Sequence, residues 1–180
     1  LIRSFDGQTP SIAASAWVSE AAYVIGDIVI GEHVSIWPGA VLRGDFGQIS
    51  IGDGTIIEDN CVIHSGSTLT PDADDKIRGD IYIGHNVLIG HGAVLNGRTI
   101  GNNTLIGINA TMLHEAVIGE GCVIGAGCVV GQGMKVPDGS FVVGVPGKIK
   151  GKVSESQQWW TSQGSPLYHR MAEKYKAEGL

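Results

Sequence analysis

The middle of the chain carries residue types and spacings that could do chemistry. His64 closes the run IIEDNCVIH, His85 and His91 fall inside IYIGHNVLIGHGAVLNGRTIG, and Asn96 follows His91 by five residues. A neutral imidazole is a ligand for zinc and other divalent cations and, near neutral pH, a general base. Three imidazoles around a tetrahedral cation leave the fourth position for water, whereas asparagine offers only a neutral amide oxygen, a weaker donor. Carboxylates lie nearby in sequence at Asp45, Glu58 and Asp59, and Arg43 precedes Asp45 in LRGDFGQ.

Composition narrows what such a site could serve. A chain of 180 residues with a formal charge of −6 suits one domain and argues against a phosphate-backbone partner, so no nucleic acid is expected. No apolar run reaches the length of a membrane span, so no membrane partner is expected. The opening LIRSFDGQTP lacks the basic start and apolar middle of a signal peptide, which makes the cytoplasm the expected location. The three cysteines, Cys61, Cys122 and Cys128, are odd in number and match no CxxC spacing. Each occupies a small-residue position of the repeat described next, as buried reduced thiols would.

The elements that must position these side chains are set by a six-residue period. Glycine is abundant, at 28 residues, yet does not recur every third position, which excludes collagen, and 43% hydrophobic content excludes disorder. From Ile83 the chain parses as IGHNVL, IGHGAV, LNGRT (one residue short), IGNNTL, IGINAT, MLHEAV, IGEGCV, IGAGCV, VGQGMK and VPDGSF. Earlier units include IGEHVS, IWPGAV, IGDGTI, IEDNCV and IHSGST. Such a period predicts a β-solenoid in which the aliphatic position points inward and short strands pair with the coils above and below. The pattern resembles the left-handed parallel β-helix family, an all-β fold. That resemblance implies three hexapeptides per triangular coil and assembly as a homotrimer.

Residues 1–150 are assigned to the solenoid, with loops expected at 43–50 and 65–80, where the six-residue count is overrun. Residues 151–180 lose the period and are expected to form one or two helices against the solenoid. Ser154 and Ser165 suit N-caps, Pro166 a first helical position, and Leu167, Met171 and Tyr175 one helical stripe. Trp159 and Trp160 are read as packing or trimer contacts.

Spacing converts into proximity once hexapeptides are assigned in rotation to three faces. Neighbouring coils are about 4.8 Å apart. Arg43, His64 and Asn96 then form one column on the first face, and Asp59 and His91 a second column on the third face, with Glu58 beside Asp59. The two columns can meet only across a subunit boundary. His85 falls on a different face and is read as a surface residue, as is His114; His33 and His169 are read as structural.

The run SIWPGAVLRGDFGQISIGDGTIIEDNCVIH, followed by a loop and IGHGAVLNG, resembles the γ-class carbonic anhydrase family and its near relatives. The resemblance implies reversible hydration of carbon dioxide to bicarbonate by zinc or iron(II) at each of three subunit interfaces. Its metal ligands correspond to His64, His91 and Asn96, the last being a histidine in the family. It also implies that Arg43 and Asp45 order the interface and that Asp59 supports a ligand histidine. Glu58 stands where the family usually has glutamine. Phe46 occupies the place of the glutamate expected to shuttle protons in the founding enzyme.

Asn96 leaves three readings of the centre: two histidines with an amide oxygen, two histidines with the Glu58 carboxylate, or no metal at all. Two other classes remain. Hexapeptide acyltransferases share the fold and the GVPGK ending, and use a histidine base on an acyl-coenzyme A. A noncatalytic trimeric scaffold is the third possibility.

Overall fold

A computed structural model describes residues 1–66, 79–159 and 165–180. Its body is a left-handed parallel β-helix of two- and three-residue strands, entered through the longer strand Tyr23–Ile30. The register fixes the coil. On the first face Leu42, Ile63, Leu95, Met112 and Val130 stack one above another. On the second the column is Ile51, Ile83, Ile100, Ile118 and Val136. On the third it is Ile36, Ile57, Ile89, Ile106, Ile124 and Val142.

These inward aliphatic side chains are all but sealed from solvent. Each such burial contributes about 1.5–3 kcal/mol relative to exposure. The small positions of the repeat sit at the corners of the same core, and all three cysteines there are fully buried and unpaired. Burial is the main reason the Cys61 thiol is pushed up to about 12. No helix among the described residues is long and apolar enough to cross a membrane.

Two expected loops resolve differently. Residues 43–50 are not a separate loop: they lie within one extended strand, Val41–Ile51, which pairs with Val62–His64 through its first part and with Ile81–Ile83 through its last. The excess length is absorbed where Asp45–Gln48 stand opposite the single residue Asp27, between the pairs Gly26–Gly44 and Ile28–Ile49. This needs close backbone contact, since a Cβ on Gly44 would lie 2.5 Å from the Asp27 carbonyl oxygen. Residues 67–78 of the second loop lie outside the described residues. At its base Gly66 N–H donates to the Gly79 carbonyl at 3.1 Å, and Gly79 N–H to that of Phe46 at 3.0 Å.

The solenoid's third face is closed at its far end by Lys148–Lys152, which runs antiparallel to Ser140–Val143. The tail then forms helices Glu155–Trp159 and Ser165–Glu178. Ser154 caps the first, its backbone N–H donating to the Gln157 side chain at 2.8 Å. The second helix lies against the third face through Tyr168, Ala172 and Tyr175, which pack on Trp17 and Trp37. Leu167 and Met171, expected on the inner stripe, are exposed instead. The inner stripe is chosen by aromatic edge-to-face contacts with the two tryptophans, which outweigh the aliphatic pattern. Trp159 is half exposed, and the expectation for Trp160 falls outside the described residues.

Candidate metal centre

The register brings the counted columns together. Arg43 pairs with His64 across adjacent strands, and Asn96 follows Leu95, the residue stacked on Ile63. The Asn96 amide nitrogen donates to the His64 carbonyl at 3.2 Å, so this amide is tied to its own wall. On the third face Gly92 N–H donates to the Asp59 carbonyl at 2.9 Å, which sets His91 one coil beyond Asp59.

Each histidine is held by carboxylates. His64 Nε2 lies 2.9 Å from Asp45 Oδ1. Asp45 in turn accepts from Arg43 at 2.7 Å through its other oxygen. Burial would raise the Asp45 carboxyl, but the hydrogen bonds from Arg43 and His64 and their charges carry it below its ordinary value. His91 Nδ1 lies 3.0 Å from Asp59 Oδ2, and its Nε2 lies 3.1 Å from Glu58 Oε2. Glu58 is almost fully buried, and its Oε2 also accepts from the His91 backbone N–H at 2.9 Å.

The other histidines stand apart. His85 Nδ1 accepts from the Asp53 backbone N–H at 3.0 Å on the exposed surface, and His169 Nε2 bonds the Gly54 carbonyl at 2.9 Å. Phe46, half exposed, tilts its ring over His64 with centroids 5.7 Å apart.

Two contributors escape a reading of the repeat. Ser65, fully buried, donates through Oγ to the Arg43 carbonyl at 3.1 Å and accepts from Phe46 N–H at 3.3 Å, fixing the Arg43–Phe46 segment. Its only sequence signal is its place directly after His64. Tyr168 hydrogen-bonds Glu58, and burial followed by that bond pushes its hydroxyl up. Tyr168 carries no signal in the hexapeptide period, since it arrives from the tail helix.

The donor set suits a divalent cation in one respect. His64 has one ring nitrogen against a carboxylate and His91 has both, and a carboxylate on one nitrogen is the usual orienting partner of a metal-binding imidazole. Within one chain the donors do not converge: among the described residues no group of three or more His, Cys, Asp or Glu side chains could hold a metal ion. His64 lies on the first face of the coil and His91 on the third, so one chain does not bring the two imidazoles together.

Comparison with known proteins agrees with this architecture. Residues 99–132 match the bacterial transferase hexapeptide model (six repeats), and residues 47–71 match the hexapeptide repeat of succinyl-transferase. Gamma carbonic anhydrase 1, mitochondrial, of Arabidopsis thaliana is 43% identical over 88 residues, 48% of this chain and 32% of that protein. A carbonic anhydrase of Geobacillus kaustophilus is 38% identical over 85 residues, 47% of this chain and 44% of that one. The matched segment thus spans less than half the length of these curated relatives. A crystal structure of a hexapeptide transferase family protein from Anaplasma phagocytophilum superposes with a TM-score of 0.87 at 32% identity, covering 97% of this chain and 98% of that one. The chain belongs to the hexapeptide-repeat family, and the curated proteins it resembles over about half of its length include γ carbonic anhydrases.

Proposed function

We propose that the chain assembles as a homotrimer, binds zinc or iron(II) where His64 of one copy faces His91 of the next, and hydrates carbon dioxide reversibly to bicarbonate. The observation that carries this reading is the pair of carboxylate-held histidines, His64 on Asp45 and His91 on Asp59. A bound divalent cation would supply Lewis acidity, lowering the pKa of water to about 7.

The chain's own residues do the rest. Asp45 Oδ1 and Asp59 Oδ2 would each accept a hydrogen bond from one ring N–H, turning the lone pair of the opposite nitrogen, Nδ1 of His64 and Nε2 of His91, toward the cation, with Nε2 of His91 also beside Glu58. Arg43 holds Asp45 in place, and Ser65 holds the strand carrying both. Asn96 stands beside His64 in the same column. The Phe46 ring offers an apolar wall suited to carbon dioxide, and it carries no proton, so the proton released on hydration passes to water or buffer.

The test is metal content per subunit on protein purified anaerobically without chelator, followed by stopped-flow carbon dioxide hydration. Near-stoichiometric zinc or iron with turnover supports the reading. A trimer with neither rejects it.

One observation favours a second reading. A groove of about 390 Å³, floored by Leu88, Ile106, Ile108 and Val123, opens beside His91 and Tyr168. It would suit an acyl-coenzyme A with His91 as base. Acetyl-coenzyme A binding by metal-free protein would select that reading.

A further inference from the structure

We propose that Glu58, and not Asn96, is the third protein donor of the metal centre. The centre would then be built from His91 and Glu58 of one copy and His64 of the next. The inference rests on the metal-binding reading above and specifies its chemistry.

The first argument is geometric. Asp59 Oδ2 sits at 3.0 Å from His91 Nδ1, so the proton of a neutral ring belongs on Nδ1. The lone pair on Nε2 then faces Glu58 Oε2 across 3.1 Å. Two acceptors at that separation repel unless a proton or a cation stands between them. Zinc bonds of about 2.0–2.1 Å to nitrogen and oxygen at a tetrahedral angle put the two donor atoms about 3.3 Å apart. The observed separation is close to one edge of such a tetrahedron.

The second argument is charge. Glu58 is 3% exposed, and among the described residues no lysine or arginine ion-pairs with Glu58 or Asp59. A buried carboxylate requires compensation, which a divalent cation would provide more fully than one imidazolium. Glu58 is also held in the manner of a metal-binding carboxylate, by the His91 backbone N–H and by Tyr168.

Asn96 compares poorly. Its nitrogen is spent on the His64 carbonyl, and its oxygen is neutral. Carboxylate with two imidazoles is a common zinc and non-haem iron set, whereas a neutral amide oxygen is the weaker donor to these ions.

The experiment titrates zinc and cobalt(II) into the metal-free protein and into Glu58→Gln, Asn96→Ala and His64→Ala, with assembly followed by sedimentation. Glu58→Gln is expected to weaken binding more than about 100-fold, beyond the 10–100-fold range of a residue that only orients a ligand. Asn96→Ala is expected to leave affinity within about tenfold and the cobalt absorption spectrum unchanged. If Glu58→Gln fails to assemble, Glu58→Asp keeps the charge but withdraws the oxygen. It should weaken binding at least about tenfold and shift the cobalt spectrum. Loss of metal in Asn96→Ala with retention in Glu58→Gln would overturn the inference and leave the metal-binding reading standing. Binding that is absent in the unmodified chain, or unchanged in His64→Ala, would overturn both.

Discussion

The two histidines stand on the same scaffold, one hexapeptide position apart in kind, yet their surroundings differ in charge. His64 faces one carboxylate, Asp45, already paired with Arg43, so acid and base are balanced there. His91 stands between two carboxylates, Glu58 and Asp59, and among the described residues no arginine pairs with them. Among the described residues, then, a guanidinium pairs with the carboxylate of one column and no lysine or arginine pairs with those of the other. A cation shared between copies would draw a neutral imidazole from the balanced column and an imidazole with a charged carboxylate from the other.

The most severe way to break the comparison is to remove each imidazole in turn. His64→Ala and His91→Ala are both expected to abolish bound metal and to lower carbon dioxide hydration more than about 100-fold, read by metal analysis and stopped flow. Retention of metal in either variant would mean that the columns do not meet.

Removing the carboxylate behind each ring is the next step down. Asp45→Asn and Asp59→Asn should each weaken zinc affinity about 10–100-fold. Only Asp45→Asn frees an arginine, so only it should also raise the dissociation constant of the trimer, measurable by sedimentation. Equal effects on assembly would erase the distinction between the two columns.

A smaller effect is expected from the tail. Tyr168→Phe deletes a hydrogen bond to buried Glu58 and should reduce stability by about 1–3 kcal/mol, read from the urea midpoint. The smallest concerns alkali. The Cys61 thiol, raised chiefly by burial to about 12, keeps its proton in the folded chain where the unfolded chain has lost it. Its contribution is present below the unfolded value of about 8.5 and is lost as pH rises toward the folded one. The urea midpoint should therefore fall between about pH 8 and about pH 10, and Cys61→Ala should flatten that fall.

Much of this arrangement is legible in the sequence because a parallel stack turns spacing into contact. Knowing the hexapeptide count, one can place Arg43 beside His64 and Asp59 below His91 without coordinates, and the strand register does so. The count fails where geometry is set by something other than the repeat. Asp45–Gln48 are hidden inside a continuous strand because Gly26 and Gly44 let two backbones approach. Tyr168 reaches Glu58 because the tail helix is oriented by Trp17 and Trp37, a packing preference that a stripe of Leu167 and Met171 disguises. Glu58 is legible as a candidate carboxylate partner of the two histidines, but its contact with His91 Nε2 in particular is not, since the repeat count places it only beside Asp59.

The reversed strand Lys148–Lys152 also bears on what the molecule is prevented from becoming. A parallel solenoid presents open backbone edges at its ends, and any chain of the same kind is a matching template. On the third face that edge is covered by a strand of opposite direction, studded with Lys148, Lys150 and Lys152, all exposed. An incoming coil would meet the wrong polarity and a row of like charges. On that face the molecule carries its own stop signal against growing into a fibre.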